Sequence, residues 1–384
     1  MLRDLSFSAV VAGFVAVLVG FTSSVAIVFA AAQALHATPG QTASWIWALG
    51  LGMGLTSLGL SLRYRMPVLT AWSTPGAALI AATQGIAMPE AIGAFLICAV
   101  LILLAGVTGL FERAMDRIPV AIASALLAGV LTRFALDAVQ AAPRQPALVL
   151  GMAVAFLAGR RWWPRYAVPG VLLCGVALAA AQGQLHLGTV EWGWTTPVWT
   201  APEFSLRSLI GIALPLFVVT MASQNLPGVA AQRASGFQIP VSPVIASTGL
   251  ASLLLAPFGG YALNLAAITA AICMGREAHE DPRRRYMAAA SAGVFYILLG
   301  LAGGAVAGLL AAFPRELVVG IAGLALLGTI AGGLHSALSE PDHRDAALLT
   351  FVVTLSGISW LGIGSAFWGV VAGGLALVST LRRR

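Results

Sequence analysis

The feature that most constrains this sequence is the recurrence, from Phe7 to Leu381, of apolar runs long enough to cross a bilayer. A helix rises about 1.5 Å per residue, so runs of roughly 17 to 25 residues match a hydrocarbon core about 30 Å thick. Read this way, spans fall near 7–33, 43–61, 67–84, 89–110, 118–139, 146–159, 167–183, 207–231, 240–256, 260–275, 286–311, 316–335, 346–359 and 362–381, about fourteen in all. Only 9% of side chains are charged, against about 25% in soluble domains, so lipid is the solvent of most of the chain. The expected class is an all-α polytopic membrane protein, its first run retained as a helix because further spans follow it.

The formal charge of +7 is explained by topology rather than by a nucleic-acid partner. With the N-terminus inside, 17 of the 21 arginines fall in cytoplasmic segments, which places both termini in the cytoplasm. Arg144, Arg207 and Arg315 fall on the opposite side, and Arg133 lies within a span with Asp137 four residues later. That pair reads either as an intrahelical ion pair or as an outer gate for an anion. Cys98, Cys174 and Cys273 sit singly in apolar runs, so neither a disulfide framework nor a metal site is expected. No carboxylate or histidine occupies the centre of a span, and no hydrolytic triad, zinc motif or Walker loop appears. An enzyme, a cofactor or an ATP-driven pump is therefore not expected.

A Trp- and Pro-containing connection, 184–206, divides the chain into halves 1–183 and 207–384 with seven spans each. Equivalent spans then run in opposite directions, which is the inverted-repeat arrangement of transporters. One span in each half is interrupted. In 67–84, Ser73 or Thr74 before Pro75 and Gly76 reads as a helix start at mid-membrane. In 260–275, Pro257, Gly259 and Gly260 precede an apolar stretch of half length, 187 residues after Ser73. Two half-helix N-termini meeting near midplane would offer free amides and positive dipole ends to an anion. Gln224 and Asn225, beside the helix-breaking Pro227 and Gly228, are expected in the same site, with Asn264 one turn inside the second half-helix. Tyr261 and Trp72 supply aromatic walls, and Thr22, Ser23 and Ser24 are a further candidate wall about 200 residues before Gln224.

The stretches PVLTAWSTPGAALI, MASQNLPG and APFGGYALNLAAITAAICMGREAHEDPRRR resemble the bacterial benzoate/proton symporter family, and the resemblance covers essentially the whole chain. It implies a bacterial inner-membrane secondary carrier for benzoate or a similar small aromatic anion, coupled to protons and working by alternating access. It also implies the seven-plus-seven, nucleobase-transporter-like fold, with a core unit from 1–110 and 207–311 and a gate unit from 118–183 and 316–381. Spans 3 and 10 are then the discontinuous pair, and a homodimer is a compatible assembly. Gln224, Asn225 and Asn264 stand where the nucleobase branch is expected to use acidic side chains, which argues against nucleobases. A carrier for another organic anion or a nucleobase, and an anion channel, remain the competing readings.

Overall fold

The computed structural model describes residues 4–109, 111, 119–163, 167–185, 193–275, 278–305, 313–358, 360 and 365–381. Among these the helices are α1 (Phe7–Ala34), α2 (Pro39–Tyr64), α3 (Thr74–Ala81), α4 (Met88–Thr108), α5 (Val120–Ala141), α6 (Pro146–Trp162) and α7 (Ala167–Ala181). After the central connection come α8 (206–234), α9 (Val241–Leu255), α10 (Ile268–Met274), α11 (Tyr286–Leu301), α12 (Arg315–Leu338), α13 (Arg344–Leu355) and α14 (Ser365–Leu381). A helix lies within each expected span. Among the described residues five helical stretches are long and apolar enough to cross a membrane, and α1, bent by 41° between Phe21 and Ser24, makes a sixth when taken as one span. The terminal residues 1–3 and 382–384 lie outside the described residues.

The two interrupted segments depart from helix as expected. Strand β1 (Thr70–Trp72) precedes α3, and strand β2 (Leu263–Leu265) precedes α10. The half-helices are 8 and 7 residues long, only about 12 and 10 Å. The strands pair antiparallel, Thr70 with Leu265, Ala71 with Asn264 and Trp72 with Leu263.

Extended chain buried among apolar helices must find partners for its backbone groups inside the protein. Short hydroxyl side chains do this. Ser57 Oγ accepts from Thr70 N at 3.0 Å, Ser61 Oγ accepts from Val68 N at 3.2 Å, and Ser252 Oγ accepts from Leu263 N at 2.9 Å. The Thr70 hydroxyl is itself held by Thr56 at 2.7 Å and Ser57 at 2.9 Å.

Glycines allow the helices around this ladder to approach closely. Gly50 and Gly54 of α2 face Gly300 and Gly293 of α11 backbone to backbone, while Gly106 of α4 packs on Ala246 of α9. Helices α1–α4 pack chiefly with α8–α11, and α5–α7 with α12–α14. The largest buried cluster belongs almost wholly to the first group, and a separate one joins α6, α7 and α12. The described part of the central connection runs across helix ends, with Val198 N on Ser44 Oγ, Thr200 N on Pro257 O and Glu203 N on Pro89 O.

Candidate functional site

Ser73 is the N-cap of α3, and its side chain accepts from Gly76 N at 3.2 Å. Its backbone amide donates to Ala262 O at 2.9 Å, and Ala77 N donates to Ser73 O. Pro75 has no amide hydrogen, so among the first residues of α3 only Thr74 keeps an amide without a capping partner. The cap of α10 is Ala267, which provides no side-chain acceptor, so Ile268, Thr269 and Ala270 retain the unsatisfied amides of a helix start. The two half-helices are thus chemically unequal, and the second is the more open donor.

The second break is placed differently from the sequence expectation. Gly259 has φ +94° and ends the turn Ala256–Phe258 that extends α9, while Gly260 N donates to Leu255 O. The glycine pair is therefore a C-terminal stop, for which a left-handed residue is suited, and α10 begins at Ile268. Asn264 accordingly lies in β2 rather than inside the half-helix. In the amide orientation that satisfies both neighbours, its oxygen accepts from Ser73 N at 3.1 Å and its nitrogen donates to Leu265 O at 3.0 Å. The N-caps Ser73 and Ala267 are 194 positions apart (267 minus 73), replacing the separation of 187 inferred from Gly260. The same shift of 194 carries the pair Thr70–Leu265 onto Asn264–Ala71, so the ladder maps onto itself. Because Leu69 O receives Ala266 N and Ser73 N reaches Ala262 O, the N-caps bracket the ladder. Four strand steps, about 13 Å, separate Leu69 from Ser73, so the two N-termini do not converge on one point.

One turn of α8 touches both broken segments. Thr220 Oγ1 donates to Ser73 Oγ at 2.9 Å, and Asn225 Oδ1 accepts from Leu265 N at 2.9 Å. Between them the helix widens into a π segment, Met221–Asn225, a local geometry that recurs at functional sites. A second π segment, Leu209–Ala213, likewise ends two residues before a proline, Pro215. Widened turns upstream relieve the clash of a proline with the carbonyl four residues earlier, so α8 continues past Pro227 and Gly228 instead of breaking.

Thr220 and Asn225 are fully buried, as are Ser73 and Asn264. Gln224 is half-buried and makes no hydrogen bond with any described residue. It is the polar side chain of this turn that is free for a ligand.

The walls divide. Trp72 Nε1 donates to Ser24 Oγ at 2.9 Å, and Ser24 in turn bonds Gly20 O at the bend of α1. Such back-bonding to the preceding turn bends helices. The Thr22 and Ser23 side chains lie outside the described residues. Tyr261 packs away into an aromatic cluster with Trp45 and Phe95, its ring centroids 5.9 and 6.0 Å from theirs.

Arg133 and Asp137 form no ion pair, which removes that reading of the two. Arg133 instead lines a cavity with Thr83, Thr354 and Ser365, whereas Asp137 lines another with Arg144, Arg315 and Glu316. Sequence reasoning missed Thr220, Ser57 and Ser252, whose only signal is a hydroxyl within an apolar run. It also took Arg285 for a topological anchor. Its nearly buried guanidinium donates to Met274 O, His279 O and Glu280 O, holding the end of α10 to the loop that follows. A cation at a helix C-terminus also complements the dipole.

A profile of the benzoate membrane transport protein family matches residues 3–379. The inner membrane protein YdcO of Escherichia coli is 50% identical over 368 residues, covering 96% of this chain and 94% of that protein. A benzoate membrane transport protein of Acinetobacter baylyi is 41% identical over 381 residues, covering 99% and 97%. The fold is shared with the transmembrane domain of a cyanobacterial bicarbonate transporter, BicA, at a TM-score of 0.61 and 13% identity over 97% of this chain and 98% of that one. It is shared too with the murine anion transporter Slc26a9 in its inward-facing state, at 0.63 and 10% identity over 99% of this chain and 69% of that one. A chain of apolar helices with two broken segments sewn together at its centre, matched along nearly its whole length, belongs to the benzoate membrane transport protein family and is a membrane transporter rather than an enzyme.

Proposed function

We propose that this transporter carries benzoate or a closely related aromatic carboxylate, together with protons, across the bacterial inner membrane by alternating access. The observation that carries this reading is the π turn of α8, which ties α3 through Thr220 and β2 through Asn225 while leaving Gln224 unpaired between them. The carboxylate binds at Gln224 and the uncapped amides at the start of α10. Helix starts with free amides favour anions without needing a buried cation. Trp72 and Phe21, in edge contact at 5.2 Å, supply an apolar wall for the ring. Ser73, Gly76, Asn225 and Asn264 act as the frame of this site, and Gly260 and Tyr261 shape the turn leading into it.

The ladder's self-mapping under a shift of 194 supports fourteen spans in a seven-plus-seven inverted repeat. The two packing groups support a core of 1–110 with 207–311 moving against a gate of 118–183 with 316–381, and the arginine bias of the sequence supports cytoplasmic termini. A carboxylic acid with a pKa near about 4 is ionised at neutral pH, so one co-transported proton neutralises the charge moved. A second reading, another small anion as substrate, is favoured by the fold shared with a bicarbonate transporter and an anion transporter. Uptake of radiolabelled benzoate into proteoliposomes under an inward proton gradient, with competing acids and bicarbonate, tests both. Saturable uptake that collapses with the gradient is expected. Correctly inserted, ligand-competent protein that ignores benzoate would reject the assignment.

A further inference from the structure

Arg133, an exposed residue at the fourteenth position of α5, has no hydrogen bond or ion pair with any described residue. Its guanidinium rests against Gly357, in the left-handed turn after α13, where any side chain would displace it. It opens onto a cavity of roughly 20 Å³ whose other walls come from the end of α3 (Leu79, Ala82, Thr83) and from Thr354 and Ser365. Thr83 and Ser365 already spend their hydroxyl hydrogens on Leu79 O and Thr354 O. The Thr354 hydroxyl has no partner among the described residues, but it is buried against Gly369 of α14 and closed to a ligand. The free donor at this cavity is therefore the guanidinium, whose planar fork matches a carboxylate. Helices α3 and α13 both end here, and their negative ends hold the cation without consuming its donors.

We infer that Arg133 forms a second, outer carboxylate site, where the substrate anion pauses between the external face and the central turn of α8. The site lies about 12 Å along α3 from Ser73, the length of its eight residues. It also lies between the two packing groups, so separating them widens a cavity that now has room for little more than a carboxylate oxygen. The direction of passage rests on the transport reading above; the anion site itself does not.

Ala82 is exposed at the cavity, so Ala82→Cys is the probe, with the parent chain and its Cys98, Cys174 and Cys273 as the blank. Rates of modification by anionic sulfonatoethyl and cationic trimethylammonioethyl methanethiosulfonate are measured by mass spectrometry and divided by those of a free thiol. The anionic reagent is expected to be favoured at least tenfold, the preference falling to near unity with Arg133→Gln and surviving in part with Arg133→Lys. Equal normalised rates in the Arg133-containing protein would mean that the guanidinium serves only the helix ends, overturning the proposal. In oriented proteoliposomes Arg133→Gln should also raise the external KM for benzoate about tenfold and leave the internal KM within twofold, and equal rises on both faces overturn it too. Absence of benzoate transport by the unmodified protein would reject the substrate assignment, while the labelling ratio would still decide the anion site.

Discussion

Replacing Gln224 and, separately, Asn225 by alanine distinguishes a side chain that meets substrate from one that holds the frame. Asn225 is fully buried, and its Oδ1 is the acceptor for Leu265 N. Removing it strands that amide in a dry interior, at a cost of about 1–3 kcal/mol. Gln224 has no partner to lose, so its removal should leave stability within about 0.5 kcal/mol. The order reverses for binding. A hydrogen bond to a charged group contributes about 1.5–3 kcal/mol, and since about 1.4 kcal/mol is tenfold in Kd, Gln224→Ala should weaken benzoate binding roughly 10- to 150-fold. Thermal unfolding in detergent followed by tryptophan fluorescence gives the first quantity, and titration calorimetry the second. An unchanged Kd in Gln224→Ala, or a loss of thermal stability as large as that of Asn225→Ala, would refute the division of roles.

Three further outcomes follow from the geometry. Gly259→Ala combines a left-handed backbone with a Cβ inside the space of the Trp45 ring, so a loss of about 2–4 kcal/mol is expected, read as thermal midpoint and folded yield. Arg285→Met leaves the carbonyls of Met274, His279 and Glu280 without their donor, and a loss of about 2–5 kcal/mol should appear with faster proteolysis of the segment after α10. The hydrogen bond from Tyr286 at 2.7 Å, aided by the N-terminus, Arg284 and Arg65, holds the Asp4 carboxyl below its ordinary 3.8. A depressed carboxylate stabilises the fold fully above its unfolded value and loses that contribution as pH falls through the folded one. The difference in thermal midpoint between the parent protein and Asp4→Asn should thus be constant near neutrality and close only below pH 3.8; a difference that closes near pH 7 would contradict the assignment.

The apolar runs placed the helices well because length and hydrophobicity are properties of local sequence. The broken span at Ser73 was equally legible, since a hydroxyl, a proline and a glycine in succession specify a capped start. Gly259 and Gly260 misled, because a glycine pair serves a stop as readily as a start, and only the hydrogen bonds back to α9 decide which. Asn264 was drawn into the site by its number and remains near it for another reason, as the side chain that ties β2 to Ser73. Thr220, Ser57 and Ser252 were not legible. A serine in an apolar span gives no sign of whether it bonds its own helix, as Ser24 does to Gly20, or an extended strand elsewhere.

Those strand-binding hydroxyls bear on how alternating access can proceed. The partners found for the backbone of β1 and β2 come from α2 (Ser57, Ser61), α8 (Asn225) and α9 (Ser252), all in one packing group. Extended chain at membrane depth tolerates no interval without partners, because water does not replace them there. A rocking motion that separated β1 from α2, or β2 from α8, would therefore meet a barrier of several unmade hydrogen bonds. Movement of the whole group against α5–α7 and α12–α14 breaks none of these, and it changes instead the surroundings of Gln224, whose π turn lies against α5, and of Arg133, which sits on the opposing helix. The half-exposed glutamine and the unpaired arginine are thus on the boundary where the proposed motion alters exposure. The ladder behind them, held by partners of its own packing group, keeps the binding geometry constant while access changes.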